Sequence, residues 1–217
     1  YSTGTQIGLV YPMLVKATPA DSVDIVKQTL YKETAQRFKG HLSTGLVGVP
    51  VLTQWAIENG EAEFMYQMLK KREYPGYLYM IDNGATLTWE HWNGDRSRIH
   101  NCYNGIGRWF HQALAGITPD ESQPGYKHIN IRPQLVEGIT WVKATKDSSY
   151  GPIAVNWNRE ENEFTLDVEI PAGCTATVSL PAGAKDIVVD AQEGEVQGET
   201  VSLPSGTYQI ACLLASE

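Results

Sequence analysis

A chain of 217 residues with 42% hydrophobic and 19% charged side chains is ordinary folded globular material, long enough for one large domain or two smaller ones. Its net charge of −8 and the lack of a Lys/Arg stripe argue against a phosphate-tracking nucleic-acid binder, so no nucleic-acid partner is expected. No apolar run approaches the roughly 18–20 residues that a bilayer-crossing helix needs, so no membrane span is expected either.

Residues 1–118 read as helical. The stretch Gly4-Thr5-Gln6-Ile7-Gly8-Leu9-Val10 reads as an element already under way, and a start at Tyr1 without a methionine or a charged leader reads as a cut inside a longer protein. Pro19-Ala20-Asp21 opens a helix in which Val23, Val26, Leu30 and Phe38 recur at near-helical spacing, and Gly40 stops it. Pro50 fits the first turn of the next helix, whose stripe of Val51, Leu52, Trp55 and Ala56 ends at Asn59-Gly60. Phe64, Met65, Met68 and Leu69 repeat the pattern until Tyr74-Pro75-Gly76 breaks it, and a last helix is predicted from about His100 to Leu114. Helices joined by such short turns form antiparallel hairpins.

The pattern changes after the connector Thr118–Gly125, which is too short to be a flexible tether. Short alternating runs (128–131, 153–157, 163–170, 175–180, 186–189, 201–203 and 207–213) are separated by Gly, Pro, Asn and Asp turns, which predicts an antiparallel β-sandwich over 126–217. Its aromatic residues Trp141, Tyr150, Trp157, Phe164 and Tyr208 sit singly along the runs and are expected in the core, leaving the sandwich a packed support.

The chemistry concentrates in Ala85-Thr86-Leu87-Thr88-Trp89-Glu90-His91-Trp92-Asn93-Gly94, where one carboxylate stands between two indoles and beside an imidazole. Aromatic faces suit the C–H faces of a sugar ring, and a carboxylate among them can activate water or carry a proton. The alternative is a glutamate paired inside a core. If the segment is extended, His91 points away from Glu90. Asp82 reads as a turn aspartate in preference to a second catalytic carboxylate. His41, Ser43 and Thr44 lie on a loop that either reaches a site or caps a helix through Ser43 or Thr44. The five histidines are scattered and the three cysteines have no ligand spacing, so no metal and no cofactor is expected. Cys102, Cys174 and Cys212 read as free core thiols, with a Cys174–Cys212 bridge left open.

Around that stretch lie Gly40-His41-Leu42-Ser43-Thr44-Gly45-Leu46-Val47-Gly48-Val49-Pro50, Tyr74-Pro75-Gly76-Tyr77-Leu78-Tyr79-Met80-Ile81-Asp82-Asn83-Gly84, Ser97-Arg98-Ile99-His100, Gly105-Ile106-Gly107-Arg108-Trp109-Phe110, Ala115-Gly116-Ile117 and Ile131-Arg132-Pro133. In this order and spacing the string resembles the C-terminal part of bacterial α-L-rhamnosidases over nearly the whole chain. The resemblance implies an (α/α)₆ barrel followed by a β-sandwich. Five or so helices are too few to close such a barrel, so 1–118 is expected to be its C-terminal portion and 126–217 the sandwich.

The resemblance further implies an inverting glycosidase acting on terminal α-L-rhamnosyl residues of a glycoside or polysaccharide, with the general base in Trp-Glu-Xaa-Trp, here Glu90. It matches His100 to a sugar-contacting histidine, although Ser97-Arg98-Ile99-His100-Asn101 departs from the Ser-Leu-Asn-His-Tyr that family members often carry. Trp89 and Trp92 become candidate walls for the sugar, with core packing as the alternative. The family's general acid lies upstream and has no counterpart here, so the chain is expected to hold half of a catalytic pair and to need the remainder of the catalytic domain as its partner. Two other readings stay open: a non-catalytic carbohydrate-binding or structural fragment, and a related glycosidase with a different sugar.

Overall fold

In the computed structural model, which describes residues 3–190 and 194–215, the side chain of Thr5 accepts a hydrogen bond from the Gly8 amide at 3.2 Å and starts helix α1 (Gln6–Leu14). The element read as already under way therefore has its own N-cap within the sequence. A 3₁₀ turn at Ala20–Ser22 leads into α2 (Val23–Gln36), which buries Val26 and Leu30 as the spacing predicts. That helix ends before Phe38, and Gly40 (φ 77°) closes the chain back by donating to the Thr34 carbonyl at 2.7 Å. In α3 (Gly48–Asn59) Pro50 occupies the first turn, where its missing N–H has no intrahelical partner to lose, and Gly60 ends the helix in the left-handed region at φ 73°.

Two short helices complete the hairpins: α4 (Ala62–Leu69), which buries Met65 and Met68, and α5 (Tyr77–Asp82), which the sequence pattern did not reveal. The helix predicted from His100 to Leu114 is instead a 3₁₀ turn at Asn104–Ile106 and a π-helical segment at Trp109–Leu114. His100 already spends its amide on the Thr88 carbonyl at 2.9 Å, and Gly105 and Gly107 weaken helix continuity, so no regular helix starts there. Helix α1 packs on both α2 and α3 around a core that includes Leu9, Val10, Leu30, Leu52, Trp55 and Met65.

The chain divides into two units, Tyr1–Trp109 and Phe110–Glu217. The second carries ten strands among its described residues: β1 (Ile117–Pro119), β2 (His128–Ile131), β3 (Trp141–Ser148), β4 (Gly151–Glu160), β5 (Glu163–Ile170), β6 (Thr175–Ser179), β7 (Lys185–Val189), β8 (Glu195–Gln197), β9 (Thr200–Leu203) and β10 (Gly206–Leu213). They form two five-stranded sheets, ordered β1-β2-β6-β9-β8 and β3-β4-β5-β10-β7. Pairing is antiparallel except between β2 and β6, which run parallel because the chain leaves the first sheet for β3–β5 before returning. Strand β5 shows the cause of the layering: Phe164, Leu166, Val168 and Ile170 are buried and the residues between them exposed, the two-residue period of a half-buried strand.

All seven predicted strands form, and β1, β3 and β8 are additional. Strand β1 takes up the start of the predicted connector. Strand β3 is an edge strand whose inner-facing positions are only half-buried and run Val142, Ala144, Lys146 and Ser148, so its apolar alternation is too short to betray a strand in sequence. This also corrects the expectation for two aromatics: Trp141 is 66% and Tyr150 43% exposed, whereas Trp157, Phe164 and Tyr208 are buried. Trp157 spends its indole N–H on the Leu114 carbonyl at 2.8 Å.

Candidate functional site

The loop from Thr88 to His100 is built by its own backbone. His100 donates to the Thr88 carbonyl at 2.9 Å, Glu90 donates to the Ser97 carbonyl at 2.8 Å, and a turn between them is closed by Gly94 donating to the His91 carbonyl at 3.0 Å. Asn93 reinforces that turn, accepting from the Asp95 amide at 3.2 Å and donating to its carboxylate at 2.7 Å. Gly94 sits at φ 79°, and a Cβ there would lie 2.9 Å from the Trp89 ring. Both facts demand glycine.

The two tryptophans are pegs for this loop. Trp89 is 2% exposed, lies against Gly94, and has the Arg98 guanidinium 5.0 Å from its ring centre. Trp92 is 9% exposed, stacks on Tyr103 at 3.8 Å, meets Tyr77 edge-on at 5.2 Å, and donates its indole N–H to the Thr44 carbonyl at 3.1 Å. Neither ring presents a free face to a sugar, because each is consumed by packing that holds the residues beside Glu90. Burial raises the Tyr103 phenol to about 12 and pushes that of Tyr77 higher still.

Glu90 itself keeps a side chain that is 25% exposed. Its Oε2 accepts from the Ser97 amide at 3.2 Å, and Oε1 lies 3.6 Å from Arg96 Nη1 and 3.8 Å from His91 Nε2. His91 thus stands beside the carboxylate and does not point away, since the segment turns at Gly94 and is not extended. A carboxylate fixed by a backbone donor yet open to water is suited to receive a proton from water.

His100 is half-buried, and its Nδ1 accepts from the Cys102 amide at 3.1 Å with the Cys102 sulfur 2.8 Å away. It lines a depression of about 250 Å³ with Leu87, Thr88, Ile99, Asn101 and Asn104; Glu90 is not among the lining residues. The Thr88 hydroxyl donates to the His100 carbonyl and lies 2.7 Å from Asn104 Oδ1.

The remaining candidates are structural. Asp82 ends α5, not a turn, and holds Arg72 through contacts of 2.6 and 2.8 Å, so it is not positioned as a second catalytic carboxylate. Neither Ser43 nor Thr44 caps a helix: Val47 occupies the N-cap position of α3, without a side-chain bond. Their loop is instead organised by Gln6, which the sequence reading missed. Buried Gln6 donates to Thr34 Oγ1 at 3.1 Å and the His41 carbonyl at 3.0 Å, and accepts from the Ser43 amide at 2.8 Å. Its signal was present, since Gln6, Leu9 and Val10 share one face at i, i+3 and i+4. Among the described residues no group of three His, Cys, Asp or Glu gathers to hold a metal, and the three cysteines are free and buried.

The first unit thus presents a carboxylate loop among short helices, and the second is a two-sheet β unit. Both have counterparts among known proteins. Residues 1–114 match the bacterial α-L-rhamnosidase 6 hairpin glycosidase domain, and residues 116–195 match the bacterial α-L-rhamnosidase C-terminal domain. The chain belongs to the bacterial α-L-rhamnosidase family.

An α-L-rhamnosidase of Formosa agariphila is 29% identical over 212 residues, 93% of this chain and 23% of that protein. One of Streptomyces avermitilis is 31% identical over 185 residues, 77% of this chain and 18% of that protein. The crystal structure of the Streptomyces avermitilis α-L-rhamnosidase complexed with L-rhamnose has a TM-score of 0.86 at 26% identity, covering 96% of this chain and 21% of that one. The structure of the Dictyoglumus thermophilum α-L-rhamnosidase has a TM-score of 0.84 at 25% identity, covering 96% of this chain and 25% of that one. The chain therefore spans about a quarter or less of the length of these relatives.

Proposed function

We propose that this chain is the C-terminal part of an inverting α-L-rhamnosidase, in which Glu90 is the general base, His100 binds the sugar, and Trp89 and Trp92 hold the loop that carries both. The observation that carries this reading is the Glu90 carboxylate, tied to the Ser97 amide but still open to water, on a loop of a chain from this family. Inversion needs two carboxyl groups about 6.5–9.5 Å apart with a water between the base and the anomeric carbon. The second carboxyl, the general acid, belongs to the part of the catalytic domain outside these residues, with 1–118 contributing the C-terminal portion of an (α/α)₆ barrel and 126–217 the sandwich. The substrate is a glycoside or polysaccharide with a terminal α-L-rhamnosyl residue.

On this reading the chain by itself turns over no rhamnoside, since general acid–base catalysis alone contributes about 10²–10⁴-fold and the sugar pocket is incomplete without the upstream residues. The test pairs Glu90→Gln, in the enzyme carrying its upstream portion, with an activated aryl α-L-rhamnoside. Hydrolysis falls to near background while rhamnose binding persists, and azide, which needs no deprotonation, restores turnover as a rhamnosyl azide of inverted configuration by NMR. Near-wild-type hydrolysis by the variant removes Glu90 from the mechanism, and a product of retained configuration makes it a nucleophile.

A further inference from the structure

The surroundings of His100 decide which of its nitrogens carries the proton. A backbone N–H only donates, so the 3.1 Å contact from the Cys102 amide requires a lone pair on Nδ1. The neutral ring then bears its proton on Nε2. The Cys102 sulfur lies 2.8 Å from the same Nδ1 and 3.9 Å from Nε2, so the thiol converges on the nitrogen that the amide already addresses. Facing an acceptor, the sulfur serves as an S–H donor. It stays protonated there: Cys102 is 7% exposed, and both burial and the nearby Glu90 charge raise its pKa.

We infer that Cys102 is a positioning residue which fixes His100 as its Nε2–H tautomer, so that the imidazole meets the sugar as a hydrogen-bond donor to a hydroxyl oxygen. The backbone of His100 is clamped at both ends by Thr88, through the His100 amide and the His100 carbonyl, which leaves only the two side-chain torsions to be set. Convergence of two donors on Nδ1 sets them and leaves Nε2 as the ring nitrogen for a ligand in the depression that His100 lines. A histidine held in this way gives a hydrogen bond and takes none at Nε2, which divides the labour of the site: His100 orients a hydroxyl and Glu90 receives the proton. The last step rests on the proposed function; the tautomer does not.

The test therefore begins without substrate. Long-range ¹H–¹⁵N NMR of the histidine-labelled chain, at a pH where the ring is neutral, reads pyridine-type Nδ1 and pyrrole-type Nε2 for His100. Cys102→Ala moves those shifts toward a tautomer average, because without the thiol the ring torsions are released and Nδ1 turns off the amide, and Cys102→Ser restores them. A wild-type ring protonated on Nδ1, or shifts unchanged in Cys102→Ala, overturns the inference. In the enzyme with its upstream portion, Cys102→Ala raises KM for an aryl rhamnoside about three- to tenfold, the worth of one hydrogen bond, with kcat within about twofold. A fall in kcat at unchanged KM overturns the binding role. If no rhamnoside is hydrolysed at all, the proposed function fails while the tautomer result stands.

Discussion

Ser97 holds Glu90 twice: its carbonyl receives the Glu90 amide at 2.8 Å, and its own amide donates to Glu90 Oε2 at 3.2 Å. Backbone and carboxylate are thereby fixed by one residue seven positions away, so the geometry of the candidate base depends on how the intervening turn closes. That places the burden on Gly94.

Gly94→Ala is expected to destabilise the loop more than the same change at Gly84. Both glycines have positive φ, 79° and 83°, and both lose about 1 kcal/mol from that source. Only at Gly94 does the new Cβ meet a neighbour, the Trp89 ring at 2.9 Å, which adds the roughly 1–3 kcal/mol of an overpacked site. Denaturant midpoints of the two variants measure the difference. In the enzyme with its upstream portion, Gly94→Ala also loses activity and Gly84→Ala does not; equal costs and equal activities would mean that Trp89 yields freely.

Gln6 is the second point of control, because it orders the loop whose Thr44 carbonyl receives Trp92. Gln6→Ala leaves the Ser43 amide and His41 carbonyl without their partner, and each stranded buried group costs about 1–3 kcal/mol. The expected loss is about 2–4 kcal/mol in urea unfolding. Gln6→Leu should lose as much, since it fills the space but satisfies neither group. A loss below about 1 kcal/mol would show that water replaces the glutamine.

The elements legible in the sequence were those whose burial follows one period. Most of the predicted strands and the faces of α2 to α4 obey it; β3 alternates too, but its half-buried positions run Val142, Ala144, Lys146 and Ser148, so the apolar signal fades after two residues. Near the candidate site the motif singled out Glu90 and His100 as candidates, but the surroundings of their neighbours depended on distant partners. Trp92 packs against Tyr77 and Thr44, residues far from it in sequence, and His91 lies beside Glu90 only because Gly94 turns the chain. Pattern alone carries no information on such non-local contacts.

The β unit gives a direct check on core assignment. Trp157 is buried with its indole N–H bonded to the Leu114 carbonyl, and Trp157→Ala should cost about 3–5 kcal/mol. Trp141 is 66% exposed on the edge strand, and Trp141→Ala should stay within about 0.5 kcal/mol. Thermal or urea unfolding of the two variants decides it, and comparable losses would mean that Trp141 is covered in solution.

Stability should fall on the alkaline side. Burial raises the folded-state pKa of Tyr103 to about 12 and raises those of Tyr77 and Cys102, against ordinary values of 10.0 for tyrosine and 9.0 for cysteine. Between the ordinary and the raised value the unfolded chain has lost a proton that the folded one keeps, so each unit of pH there favours unfolding by up to about 1.4 kcal/mol per group. The contribution is fully present below pH 9, begins to fade as the unfolded thiol ionises, and falls faster above pH 10 as the tyrosines follow. Urea midpoints followed by tryptophan fluorescence from pH 8 to 11 should decline with steepening slope, and Tyr103→Phe should flatten the limb above pH 10. A flat profile across that range would mean that these phenols titrate in the folded protein as they do in the unfolded chain.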